Sequence, residues 1–231
     1  MVKKKKNFSI VSKFGLLLLL VASLSANAFL YQKNQQLDQA SLYRVKEVYD
    51  GDTFSLTNNQ SIRLSNIEAP ELEFCGGQEA KQALSDLVLN KNLKLEIINH
   101  DQYGRLVALV YVDKILVNQQ MVKQGLARYD GSPSSQREKI KRAYDLALRN
   151  KRGIFGPPCR AEQPEDPKCL IKGNISRKVG AEKTYHFSGC SEYDRTMVEK
   201  DLGEQWFCSE KEAQQAGYKK AANCLGKKFT N

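Results

Sequence analysis

Histidine is almost missing from this chain: His100 and His186 are the only two in 231 residues. His100 has no matching partner motif and reads as a loop residue. No C-x2-C pair is present, which weighs against a thiolate zinc site. No internal repeat is visible. Cysteine is sparse before residue 159, where only Cys75 occurs; Cys159, Cys169, Cys190, Cys208 and Cys224 crowd into the last 73 residues. That clustering marks a boundary.

What is present comes in blocks. Apolar residues make up 41% of the chain and aromatics 9%, enough for a core and too much for global disorder. The net charge of +10 divides unevenly. Lys3 to Lys6 and Lys13 belong to the N-terminus, residues 41–159 carry 17 basic and 14 acidic residues, and residues 160–231 carry 13 and 11. The folded part is therefore mildly basic, which fits an anionic partner without demanding one.

The N-terminus reads as a targeting segment over 1–31. MVKKKK is a positive leader and FGLLLLLVASLSA an apolar core, with Ala26-Asn27-Ala28 in the form of a cleavage site. The apolar run continues to Tyr31, so a single N-terminal membrane anchor is the other outcome. In both cases the lysines stay inside and the rest of the chain is exported, to the periplasm, the medium or the outer face of a membrane. An even cysteine count outside the cytoplasm favours disulfides.

Residues 32–41 are a polar tether. LYRVKEVY, DTFSL, SIRLSNI, NLKLEII and RLVALVYV read as strands. Between the third and fourth, Ala80, Ala83, Leu84, Leu87 and Val88 recur at helical spacing. Val117 to Gln124 reads as a short helix stopped by Gly125. The clearest helix is SSQREKIKRAYDLALRNKRG, with Ser135 and Glu138 as a capping box and Ile140, Ala143, Tyr144, Ala147 and Leu148 as the buried stripe. Its outer face is rich in arginine and lysine. This order is that of an α+β protein built on a five-stranded OB-fold β-barrel with about three helices. The Pro-rich stretch 157–168 reads as a linker and 169–231 as a small Cys-containing α+β module.

Three clusters carry the chemistry. Asp50-Gly51-Asp52-Thr53 turns between the first two strands, IRLSNIEAPE contributes Arg63, Glu68 and Glu71, and DQYGR contributes Asp101, Tyr103 and Arg105. In a small barrel these would share one rim. Clustered carboxylates suit a hard cation such as Ca2+. Two guanidinium groups can neutralise a phosphoryl group as it becomes five-coordinate. A remaining carboxylate can orient or deprotonate water. Taken singly, each cluster is also an ordinary turn or ion pair.

VKEVYDGDTFSL, IRLSNIEAPE, GQEAKQAL, DQYGRLVALVYV, VNQQMVKQGLARY and GIF, in that order, resemble the thermonuclease, or staphylococcal-nuclease-like, family over residues 42–156. The resemblance implies an OB-fold, Ca2+-dependent phosphodiesterase acting on DNA and RNA and leaving 3′-phosphate ends. It assigns Asp52 as a metal ligand, with Glu68 and the Ala69 carbonyl beside it. Arg63 and Arg105 become the phosphate arginines and Glu71 the general base, with Asp50, Thr53 and Asp101 in support. Tyr103 and Tyr129 are implied contacts to substrate. The family usually has aspartate where Glu68 stands. The extra methylene moves the carboxylate outward by roughly 1.5 Å on a fixed backbone, a change that Ca2+ coordination tolerates.

The C-terminal elements KGN, YH-x3-C, FCSEKEA and AGYKKAANC resemble a module appended to some exported nucleases and, more loosely, the zinc-binding domain of Ada-type repair proteins. Ser209 and Glu212 form a capping box there. Disulfides are favoured over Zn2+ held by thiolates with or without His186. A Cys75–Cys159 bridge would staple the first helix region to the chain exit, though spacing does not fix the pairing. No protein partner is inferable. The rivals to an exported nuclease are a nuclease-fold binding module that has lost catalysis and an envelope protein working through its C-terminal module.

Overall fold

The computed structural model of the chain describes residues 19–30, 43–176 and 182–230. The chain divides into two units, 1–42 and 43–231. In the first, residues 19–30 are helical. No helix among the described residues is long and apolar enough to cross a membrane. Most of the expected targeting segment, 1–18 and 31, and the tether at 32–41 lie outside the described residues.

The second unit starts with β1 (Val45–Val48), β2 (Thr53–Leu56) and β3 (Ser61–Leu64), paired antiparallel in sequence. β3 then runs parallel to β6 (Leu106–Val112), which pairs antiparallel with β5 (Leu93–His100). The strand path is β1-β2-β3-β6-β5, with the two-residue β7 (Ile115–Leu116) folded back on β6. The two ends of the path meet at a single bridge, where the N–H groups of Tyr43 and Leu93 each donate to the other's carbonyl at 2.8 Å. The expected barrel is thus a five-strand path joined by one residue pair, with no continuous ladder across the join.

Three helices cover it: α1 (Gly77–Val88), α2 (Val117–Lys123) and α3 (Arg137–Arg149). α1 buries Ala80, Leu84 and Val88, four residues apart, against a core that includes Phe54, Ile62, Leu64 and Leu109. Each of its larger apolar side chains contributes about 1.5–3 kcal/mol by leaving water. α3 buries Ile140, Ala143 and Ala147. Its expected capping box does not form. The N-cap is Gln136 with no side-chain cap, and Ser135 Oγ donates instead to Glu96 Oε1 on β5 at 2.7 Å. A partner on a neighbouring strand has displaced the local one.

Asn118, at the start of α2, is fully buried. Its Nδ2 donates to Ser65 O at 2.8 Å and Ala108 O at 3.1 Å, and its Oδ1 accepts from Val110 N at 2.9 Å. One side chain therefore satisfies backbone groups at the point where β3 diverges from β6. That divergence sends the chain into β4 (Ile67–Glu68), which pairs with β8 (Arg128–Tyr129).

The Pro-rich stretch is partly structured: Arg160–Ala161 forms β9 against β12 (Val198–Glu199). Beyond it, β10 (Ile171–Ile175) is flanked by β11 (Lys183–His186) and β13 (Trp206–Phe207), with β14 (Lys219–Lys220) parallel to β11. A short helix, α4 (Glu210–Gln215), is capped as the sequence predicts, Ser209 Oγ accepting from Glu212 N at 3.2 Å. All six cysteines are paired: Cys75–Cys159, Cys169–Cys208 and Cys190–Cys224. No thiolate is left for zinc, and three disulfides are the chemistry of a non-reducing compartment.

Candidate active site

The turn from β1 to β2 is built by its own side chains. Asp50 Oδ1 accepts from Asp52 N at 2.9 Å, closing an Asx turn. Gly51 is needed for close approach, since a Cβ there would lie 2.5 Å from Ala80 Cβ and 2.6 Å from Ala69 Cβ. The turn is thereby pressed onto α1 and onto the EAPE segment.

That packing buries Asp52, which is 3% exposed. Its Oδ1 accepts from Arg63 Nη1 at 2.7 Å and Thr53 Oγ1 at 2.8 Å, and its Oδ2 from Ala69 N at 3.0 Å. Burial pushes its carboxyl up to about 6, reinforced by Asp50 and opposed by Arg63 and the Ala69 amide. A carboxylate held at that cost is under-neutralised.

Arg63 leaves β3 toward a cleft of about 420 Å3 that Arg105, Asp101, Tyr103 and Asp130 also line. Asp101 organises the DQYGR turn, its Oδ1 accepting from the amides of Tyr103 (2.9 Å) and Arg105 (3.0 Å). Its Oδ2 accepts from Arg105 Nε at 2.6 Å. Desolvation would raise the Asp101 carboxyl, but these bonds outweigh it and hold it below the usual range. Arg105 is thus oriented through Nε, while its guanidinium carbon lies 5.2 Å from the centre of the exposed Tyr103 ring.

Glu68, Ala69 and Glu71 line a second, smaller cleft of about 160 Å3, together with Phe74, Arg128 and Asp201. Pro70 lies between the glutamates, and the Glu71 carbonyl accepts from Phe74 N at 2.9 Å. The expected single rim is therefore two clefts joined through Asp52. One of its oxygens holds Arg63 of the first cleft, and the other holds the amide of Ala69 in the second.

Other expectations fall differently. Tyr129 lines neither cleft: its hydroxyl accepts from Arg137 Nε at 2.9 Å and its ring packs 6.2 Å from Tyr144. His100 stands at the end of β5 in the wall of the first cleft, not in a loop. Sequence reasoning missed Arg128 and Asp201, which are 73 positions apart and buried together. Asp130 was missed as well, though it follows the recognisable LARY run.

The donors fit a hard cation by type, being carboxylate and carbonyl oxygens only. They are the carboxylates of Asp52 and Glu68 and the carbonyl of Ala69, Asp52 already accepting three hydrogen bonds. Among the described residues the tight cluster of potential metal ligands is Asp166, Cys169 and Cys208, whose sulfurs are joined in a disulfide.

Residues 61–156 match the family model described as staphylococcal nuclease homologue. An uncharacterized endonuclease of Haemophilus influenzae is 48% identical over 88 residues, 36% of this chain and 49% of that protein. A probable staphylococcal-like nuclease of Oryza sativa subsp. japonica is 34% identical over 112 residues, 48% of this chain and 32% of its own length. A micrococcal nuclease of Shigella flexneri is 32% identical over 135 residues, 52% of this chain and 76% of that protein. The chain thus spans half or less of the first two relatives and three quarters of the third.

Proposed function

The chain belongs to the staphylococcal nuclease family, and from that premise we propose that it is an exported, Ca2+-dependent nuclease hydrolysing phosphodiester bonds of DNA or RNA. The observation that carries the reading is the buried Asp52 link. Its Oδ1 accepts from Arg63, which shares a cleft with Arg105, and its Oδ2 accepts from the amide of Ala69, which shares another with Glu68 and Glu71.

Asp52, Glu68 and the Ala69 carbonyl would hold the cation, which when bound supplies positive charge to a phosphate oxygen. Arg63 and Arg105 bind the scissile phosphate and neutralise charge as it builds. Asp101 fixes the direction of Arg105. Glu71 orients a water and accepts its proton. Tyr103, exposed beside Arg105, offers a face on which a base can stack. In-line attack of that water leaves 3′-phosphate ends when the 5′ oxygen departs. The lysine-rich leader, the apolar run after it and the three disulfides support export, with cleavage or anchoring of the leader as its two forms. All four of Asp52, Arg63, Glu71 and Arg105 are present, which favours catalysis over a binding module with a decayed site.

The test is digestion of DNA and RNA by the full chain with Ca2+ and with excess chelator, beside Glu71→Gln and Arg105→Ala. The expected result is metal-dependent cleavage that each substitution lowers by at least ~10²-fold. Equal cleavage in chelator, or unchanged rates in both variants, overturns it.

A further inference from the structure

Glu68 and Arg128 occupy directly opposed positions on β4 and β8. Cross-strand partners of opposite charge ordinarily pair, because their Cβ atoms lie about 5 Å apart. Here they do not. Arg128 Nε donates to Asp201 Oδ2 at 2.6 Å and Nη2 to Asp201 Oδ1 at 2.9 Å, a bidentate contact. Glu199 adds a second carboxylate 3.4 Å from Nη2. The guanidinium also lies 5.4 Å from the centre of the Phe155 ring. Desolvation would weaken the charge on Arg128, but Asp201 and Glu199 outweigh it and hold the group cationic. Glu68 is left exposed, with no ion pair among the described residues.

Both carboxylates that hold Arg128 come from β12 and the turn after it, beyond the nuclease-like part of the chain. The same turn is fastened at two further points. Lys200 N donates to Cys159 O at 2.8 Å. Gly203, at φ +79°, lies so close under Phe74 that a Cβ would meet the ring at 2.6 Å. Phe74 is three residues past Glu71, so this turn braces the loop that carries the proposed base.

We propose that Asp201 is a positioning residue of the active site: it holds the Arg128 guanidinium off Glu68, so that Glu68 stays a free carboxylate for a divalent cation. The inference rests on the functional reading above and concerns how that cation site is kept open. It also gives the C-terminal Cys-containing module a task within the nuclease chemistry. Without Asp201, the opposed cation on β8 turns to Glu68 and competes with the metal for it.

Calorimetric titration of the full chain with CaCl2, without substrate, tests this. Asp201→Asn is expected to weaken Ca2+ binding ~5–10-fold, as an opposed ion pair forms at the ligand. Asp201→Asn combined with Arg128→Gln is expected to restore it, since the competing charge is gone. A role confined to stability would leave the double variant as weak as the single. Unchanged binding in Asp201→Asn, or no recovery in the double variant, overturns the proposal while leaving the nuclease reading intact. No Ca2+ binding by the unaltered chain overturns the metal reading and this inference with it. If Asp201→Asn does not fold, 15N spectra of the unaltered chain and of Glu68→Gln decide. The Arg128 Nε–H should stay protected from exchange and hydrogen-bonded with Glu68 replaced by Gln, whereas loss of protection in Glu68→Gln would mean that Glu68 already holds the guanidinium.

Discussion

Arg63 Nη1 on β3 donates to Asp52 Oδ1 in the turn before β2 at 2.7 Å, joining a 27% exposed guanidinium to a 4% exposed carboxylate. The pair spans the boundary between the open first cleft and the interior. It is the joint on which the proposed chemistry turns, because a single carboxylate faces both an arginine and the amide of Ala69.

Asp52 carries a pH signature. Its carboxyl is raised from 3.8 to about 6 in the fold, so folding favours the protonated form. Its contribution to stability is full below 3.8 and is lost as pH rises through about 6. Urea melts of the metal-free protein should show the unaltered chain losing about 3 kcal/mol relative to Asp52→Asn from well below pH 3.8 to well above pH 6. Calcium titrated near that pH should release about half a proton per ion, and at pH about 8 almost none. Parallel pH profiles for the two proteins would refute the assignment.

Asp101 is expected to act through Arg105 alone. Asp101→Asn keeps the turn but removes the charge that fixes Nε. Nuclease kcat/KM should fall by about 10–100-fold with the melting temperature shifted by only a few degrees. Losses of similar size in melting temperature and activity together would make its role structural.

Asn118 should matter for stability out of proportion to its size. Asn118→Ala strands the Val110 N–H and removes a donor from two carbonyls in a dry core. The expected cost is about 2–4 kcal/mol in chemical denaturation. A loss under about 1 kcal/mol would show that water replaces the amide.

The Cys75–Cys159 bridge closes a loop of 84 residues in sequence separation. Cys75→Ala with Cys159→Ala should lower unfolding free energy by about 2–5 kcal/mol. The effect should vanish when both proteins are compared under reducing conditions.

What was legible in the sequence was local. α1 and α3 follow their apolar periodicity, α2 stops at Gly125, and Ser209 caps α4, because partners there lie within a turn of each other. The three chemical clusters were visible as motifs. Their division into two clefts was not, since it depends on which oxygen of Asp52 meets Arg63 and which meets Ala69. Ser135 satisfied every local rule for a cap and was taken by Glu96 from β5. Arg128 sits in an ordinary LARY run, and nothing within the run foretells a partner at position 201. Tyr129 lies in a two-residue strand that the sequence did not announce, and its hydroxyl accepts from Arg137 at the start of α3. Contacts beyond a single turn or strand decided these outcomes, at 39 positions for Ser135 and 73 for Arg128.

The Tyr43–Leu93 bridge has a mechanical meaning. Tyr43 is the first described residue of the folded unit, and its two hydrogen bonds are the whole of the join between β1 and β5. Tension arriving along the backbone from residues 1–42 loads that pair before any other. The rim where Asp52 and Arg63 meet lies beyond β1, behind the antiparallel ladder that β1 makes with β2. A pull on the N-terminus would therefore open a seam before it disturbed the site.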